Sequence, residues 1–214
     1  MNGCCVPRGY EKLFGERTAK RDFRRYRRRG LDGTAEALVD FLRGRGVGGL
    51  RILEIGGGVG ALEAELLQMG AAHAVNVEMS PAYESYAREL WRESGVEERA
   101  EYRVGDVTKS GVSSADAVVM HKVVCCYPDA DALVDAAAVR TGRYLVMSFP
   151  RERRLTRIGF GGLNVLARIL RWEYRSFIHP VTTISRAAER HELRLVHSDR
   201  GLVWQIAAYE RSVR

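Results

Sequence analysis

Long apolar runs are missing from this 214-residue chain. Its apolar stretches are strand-sized, as in residues 117–120, and none approaches the roughly 20 residues of a membrane-spanning helix. The first residues carry no apolar signal region, which points to a cytoplasmic protein. Metal-site cysteine spacing is also missing, and no metal is expected. The four cysteines fall as two adjacent pairs, Cys4–Cys5 and Cys125–Cys126, without the C-x-x-C spacing of a zinc site. Adjacent cysteines close a strained ring, and a cytosolic chain disfavours structural disulfides, so reduced thiols are expected. Repeats and low-complexity segments are absent. With 46% hydrophobic residues, the chain reads as one globular domain able to bury a substantial core.

Charge is present but uneven. The net charge is +7. Residues 1–50 hold twelve Lys and Arg against six Asp and Glu, and residues 151–175 hold seven Arg against two Glu. Two basic segments therefore flank a mildly acidic middle. That pattern suits either an anionic partner or solvated helix faces.

Residues 10–29 read as one helix, with Tyr10, Leu13, Phe14, Phe23 and Tyr26 as an apolar stripe on a basic rod. A second helix carries Ala35, Leu38, Val39 and Leu42 on one face and ends in a glycine loop. Short apolar strands and helices then alternate through residue 150. Their strand cores are nearly continuous apolar runs, the sign of a parallel sheet covered on both faces. Pro81 suits a helical first turn. Residues 151–176 form a basic, partly helical insertion, followed by a helix with Thr182 or Thr183 as N-cap. Two final strands joined at Asp199-Arg200-Gly201 form an antiparallel pair. The expectation is a doubly wound, Rossmann-like α/β sheet of seven strands, the last one antiparallel.

The most informative stretch is Ile52 to Gly70, with five glycines in nineteen residues. A strand entering glycines and then a helix is a ligand loop. The glycines allow a sharp turn and bring backbone amides near the ligand, and the helix N-terminus favours anionic groups. No Lys-Ser or Lys-Thr follows Gly60, which excludes a P-loop. A dinucleotide loop is met only with Ala61 in the last glycine position. An acid two residues before the first glycine fits neither phosphate ligand, because it would repel a pyrophosphate.

Glu54-Ile55-Gly56-Gly57-Gly58 resembles the acid-x-Gly-x-Gly loop of class I S-adenosylmethionine-dependent methyltransferases. Glu54 would anchor the ammonium of that cofactor, against amides from Gly56, Gly57, Gly58 and Gly60. Glu78, eighteen residues after Gly60, would take the ribose hydroxyls. Asp106 would take the adenine amino group, with Val107 on the ring, and Met79 and His121 complete the cofactor set. Methyl transfer from a sulfonium requires donor and acceptor in line and water excluded.

Four further stretches are similar to the magnesium-protoporphyrin O-methyltransferase family: residues 9–42, "VVCCYPD" (residues 123–129), "VMSFP" (residues 146–150) and "YRSFIHP" (residues 174–180). In that family the acceptor is a porphyrin propionate. The resemblance implies an N-terminal helical lid over residues 1–48 and a methyltransferase domain over residues 49–214, with a basic insertion at 151–180. It implies Tyr10, Tyr127 and His179 as catalytic candidates. Tyr26, Lys122, Cys126 and Arg175 are substrate candidates, with Arg153 and Arg157 also suited to a carboxylate. Cys126 stands where the family has His, which puts two thiols at the site's mouth, within reach of Cys4–Cys5 on a closing lid. A small, anionic acceptor is the first reading. An RNA methyltransferase using the basic residues 17–29 is the second, and a non-catalytic cofactor-binding protein the third. Against the second, the sequence lacks the [N/D]-P-P-[Y/F] motif used on base amines.

Overall fold

The computed structural model describes residues 9–212. The elements in chain order begin with α1 (Tyr10–Leu13), α2 (Glu16–Arg29) and α3 (Gly33–Arg45). Then come β1 (Arg51–Ile55), α4 (Ala61–Gln68), β2 (His73–Glu78), α5 (Glu84–Glu93), β3 (Ala100–Val104), β4 (Ala115–His121), α6 (Ala130–Val139) and β5 (Thr141–Pro150). The chain closes with α7 (Arg154–Ile169), α8 (Val181–Glu189), β6 (Leu193–Arg200) and β7 (Trp204–Arg211). The seven strands form one sheet in the order β3-β2-β1-β4-β5-β7-β6. All pairings are parallel except those of β7, which runs antiparallel to both neighbours. This is the doubly wound sheet expected from the alternating pattern.

The strands are apolar on both faces because both are covered. Ile52, Ala117 and Val119 face a layer made by α2, α3, α4 and α5. Leu53, Val118 and Met120, one residue out of phase, face α6 and α8. Chain order reverses between β1 and β4, which opens a crevice beyond their carboxyl ends.

Three local expectations change. The helix over residues 10–29 is broken at Phe14 and Gly15, where the backbone leaves the helical region. The Phe14 carbonyl is drawn off to accept from Ser80 Oγ at 2.6 Å, and Thr18 Oγ1 donates to the Leu13 carbonyl at 2.7 Å. The break lets α1 turn over the crevice. The N-cap of α8 is Pro180, so Thr182 and Thr183 lie inside the helix. The α3 helix is also part of the sheet-covering core, with Leu38, Val39 and Leu42 buried, while its Ala35 lines the crevice.

Candidate cofactor and acceptor site

A cavity of about 310 Å³ opens at the β1–β4 switch point, between the sheet and α1–α2. The glycine loop forms its floor. Gly60, at φ +69°, caps α4, and a Cβ there would sit 2.5 Å from the Trp91 indole. A Cβ on Gly57 would lie 2.7 Å from Asn76 and 2.8 Å from the Glu54 carboxyl carbon. Both positions admit only glycine, because backbone is pressed against buried polar groups. The loop amides expected to be free have partners: Gly57 N donates to Asn76 Oδ1 at 3.2 Å, and Gly58 N to Glu78 Oε2 at 3.3 Å.

The expected acids arrive at three strand ends. Glu54 ends β1 and is buried, with Oε2 lacking any hydrogen-bond partner. Burial pushes its carboxyl up to about 8. Beside it lies Glu63 of α4, fully buried and pushed well above the carboxylate range by burial and by Glu54. Glu63 Oε2 accepts from Asn76 Nδ2 at 3.3 Å, while Oε1 is unpartnered. Glu63 and Asn76 escape a motif-based reading because neither is in the glycine loop. The one signal in the sequence is an acid on the buried stripe of α4.

Glu78 ends β2 and accepts from Tyr10 Oη at 2.9 Å and from Ser80 N at 2.9 Å. Tyr10 therefore meets the sheet-edge acid itself, and burial holds its phenol well above the usual range. Asp106 follows β3. It accepts from Thr108 N at 2.9 Å, Thr108 Oγ1 at 2.8 Å and Tyr127 Oη at 3.0 Å. Burial raises the Tyr127 phenol to about 12, so it remains a donor to Asp106 at neutral pH. Met79 and Val107 line the same cavity.

The opposite wall carries the acceptor candidates. Lys122, at φ +59°, is one of few non-glycine residues in the left-handed region. Its Nζ donates to Asp32 Oδ2 at 2.6 Å, and His121 Nε2 lies 3.4 Å from the same oxygen. Burial opposes ionisation of Asp32, but His121 and Lys122 outweigh it and hold the carboxyl well below its usual range. Asp32 Oδ1 also caps α3, so this cluster ties the end of the lid to β4. Burial lowers the His121 imidazole, whose Nδ1 meets Ser148 Oγ at 3.0 Å. Cys126 lines the cavity. Its Sγ accepts from Tyr174 Oη at 3.1 Å and lies 3.8 Å from Cys125 Sγ. Those contacts, that of Cys125 first, lower its thiol against burial. From α2, Arg21, Arg25 and Tyr26 complete the wall, and Tyr26 Oη donates to Glu65 Oε1 at 2.8 Å.

Four sequence candidates, His179, Arg175, Arg153 and Arg157, do not reach the cavity lining. His179 Nε2 is 2.9 Å from the Tyr127 carbonyl oxygen, behind the wall. Arg175 Nη1 donates to the carbonyls of Trp172 and Tyr174 at 2.7 Å each. Cys4–Cys5 lie outside the described residues. Among the described residues, no group of three or more His, Cys, Asp or Glu is placed to hold a metal ion.

Residues 52–141 match the family profile described as a methyltransferase domain. No curated protein sequence matches the chain. Among solved structures, the chain resembles magnesium protoporphyrin IX methyltransferase from Synechocystis PCC 6803 with bound S-adenosylhomocysteine. That match has TM-score 0.70 and 21% identity, and covers 94% of this chain and 100% of the other. It also resembles an O-methyltransferase family protein from Burkholderia thailandensis, with TM-score 0.71, 15% identity and coverage of 95% and 63%. A third is an S-adenosylmethionine-dependent methyltransferase from Mesorhizobium loti, with TM-score 0.63, 17% identity and coverage of 85% and 100%.

Residues 52–141 therefore carry a methyltransferase domain on a doubly wound sheet, with acids at three successive strand ends. The fold is shared over nearly the full length with the structure of the protoporphyrin enzyme.

Proposed function

We propose that this enzyme methylates a small acceptor bearing an anionic group, a carboxylate or hydroxyl on an acidic, tetrapyrrole-like or smaller molecule. One observation carries the reading: a single cavity joins the acids suited to the cofactor with Arg21, Arg25, Lys122 and Cys126. The buried, unpartnered Glu54 Oε2 suits an ammonium. Glu78 suits vicinal ribose hydroxyls once Tyr10 shares or yields its oxygen, and Asp106, aligned by Thr108 and Tyr127, suits an adenine amine. Bound S-adenosylmethionine supplies an electrophilic methyl group on a sulfonium.

The chain's own part is positioning. Arg21 and Arg25 receive negative charge on the acceptor, and α1 with Phe14 shuts out water. A carboxylate acceptor is ionised at neutral pH and needs no base. A hydroxyl acceptor would need one, and His121, kept neutral by burial, is the cavity's candidate. Residues 10–29 act as the lid over this site, hinged near Asp32.

The test is transfer of labelled methyl groups from S-adenosylmethionine into a metabolite extract, with the product identified by mass. Label in an acidic small molecule supports the reading. Label in transfer RNA instead would favour the basic face of α2, where Arg17, Arg21, Arg24 and Arg28 line an open groove. Cofactor binding without transfer to either pool would leave a non-catalytic binding protein.

A further inference from the structure

The α7 helix lies on the body of the protein by a narrow strip. Its only buried residues are Thr156 and Ala167. On that side Phe160 packs edge-on to Trp204 at 6.3 Å, and Asn164 exchanges two hydrogen bonds with Ser176, at 2.8 and 2.9 Å. The outward side is apolar. Leu155 is 81% exposed, Ile158 71%, Val165 58% and Ile169 71%. At 100° per residue these, with Leu163, Leu166 and Leu170, fill an arc of about 160°. Arg154, Arg157 and Arg168 lie along one flank of that arc.

A further apolar residue is exposed in the turn tied to the base of the helix. Leu202, in the β6–β7 turn, is 85% exposed. Arg151 fastens this turn to the base of α7, donating from N to the Val203 carbonyl at 2.9 Å and from Nη1 to the Gly201 carbonyl at 2.7 Å. A soluble surface rarely leaves so many large apolar side chains together. Residues 151–175 carry seven Arg against two Glu, so the surroundings are strongly cationic.

We propose that α7 and the β6–β7 turn form a docking face for an anionic lipid surface. The apolar arc enters the boundary between headgroups and acyl chains, and the flanking arginines meet lipid phosphates. Charge selects this occupant. A second copy docked through the same face would bring two sets of seven arginines together with only two glutamates each to match them. The proposal is independent of the acceptor's identity.

The experiment is co-sedimentation of the full chain with vesicles of phosphatidylcholine alone, and with about one-third phosphatidylglycerol added. Expected are binding to the anionic vesicles, weakening as salt rises, and a blue shift of Trp172 emission that is lost in Trp172→Phe. Trp172 is 36% exposed just after α7, with its N donating to the Ala167 carbonyl. Ile158→Asp with Ile169→Asp should lower partitioning about tenfold or more. Arg154→Ser with Arg157→Ser should lower it roughly 30-fold at low salt. These side chains are exposed, so melting temperature and S-adenosylhomocysteine affinity should stay unchanged and report a folded protein. Equal partitioning by the parent and both double variants overturns the proposal, as does no binding to the anionic vesicles. A dimer in sedimentation velocity that Ile158→Asp dissolves, without lipid binding, assigns the face to a second copy instead.

Discussion

Glu63→Gln offers a sharp test of the buried acid pair beneath the glycine loop. Glu63 is fully buried beside Glu54, and burial with the neighbouring acid raises its carboxyl well above the usual range. In the unfolded chain it titrates near 4.5. Folding therefore takes up a proton at Glu63 between its unfolded titration and its raised folded one. A group raised on folding contributes stability that is complete below its unfolded value and lost as pH rises. The linkage limit is about 1.4 kcal/mol per pH unit, or about 4 kcal/mol between pH 5 and pH 8. Glu54, raised to about 8, adds a second slope over the same window. A glutamine at position 63 keeps the observed contact, its carbonyl accepting from Asn76 Nδ2. It removes one of the two protons taken up. Chemical unfolding of both proteins from pH 5 to pH 8 should then give a markedly shallower profile for the variant. Even half the limiting value, about 2 kcal/mol, is a gain of about 4–8 °C in Tm at pH 8 relative to the parent. Parallel profiles would refute the claim that Glu63 is held protonated.

Other outcomes follow from the same geometry. Glu78→Gln should weaken S-adenosylhomocysteine binding about tenfold or more by calorimetry, whereas Tyr10→Phe, which frees Glu78, should leave affinity unchanged or improve it. Gly60→Ala places a methyl group against Trp91 at a left-handed position, so it should cost about 2–4 kcal/mol in urea unfolding. Lys122→Ala leaves Asp32 without its closest partner. Faster proteolysis or hydrogen exchange in residues 10–32 is expected, while exchange in β5 and β7 is unchanged. Cys126→Ser keeps a small polar group facing Tyr174. Retained methyl transfer with loss of fast thiol alkylation would make the thiol dispensable, and loss of transfer would bring it to the acceptor.

Much was legible from chain order alone. Strand and helix alternate with periods that local sterics impose, so the parallel sheet, its antiparallel last strand and the position of the crevice could be read directly. The glycines of the loop and the acids Glu54, Glu78 and Asp106 were legible because each sits at a strand end, where sequence position dictates spatial position. What could not be read was contact between distant segments. Tyr10 bonding to Glu78, Lys122 and His121 converging on Asp32, and Tyr174 meeting Cys126 depend on how α1, α3 and the segment after α7 pack. No local period encodes such packing. The same limit explains His179 and Arg175, whose residue types suit an acceptor but whose hydrogen bonds are consumed by neighbouring carbonyls. The Glu54–Glu63 pair required the tertiary structure most of all. An acid on an apolar helix stripe is only an anomaly until burial against a second acid gives it a proton to keep.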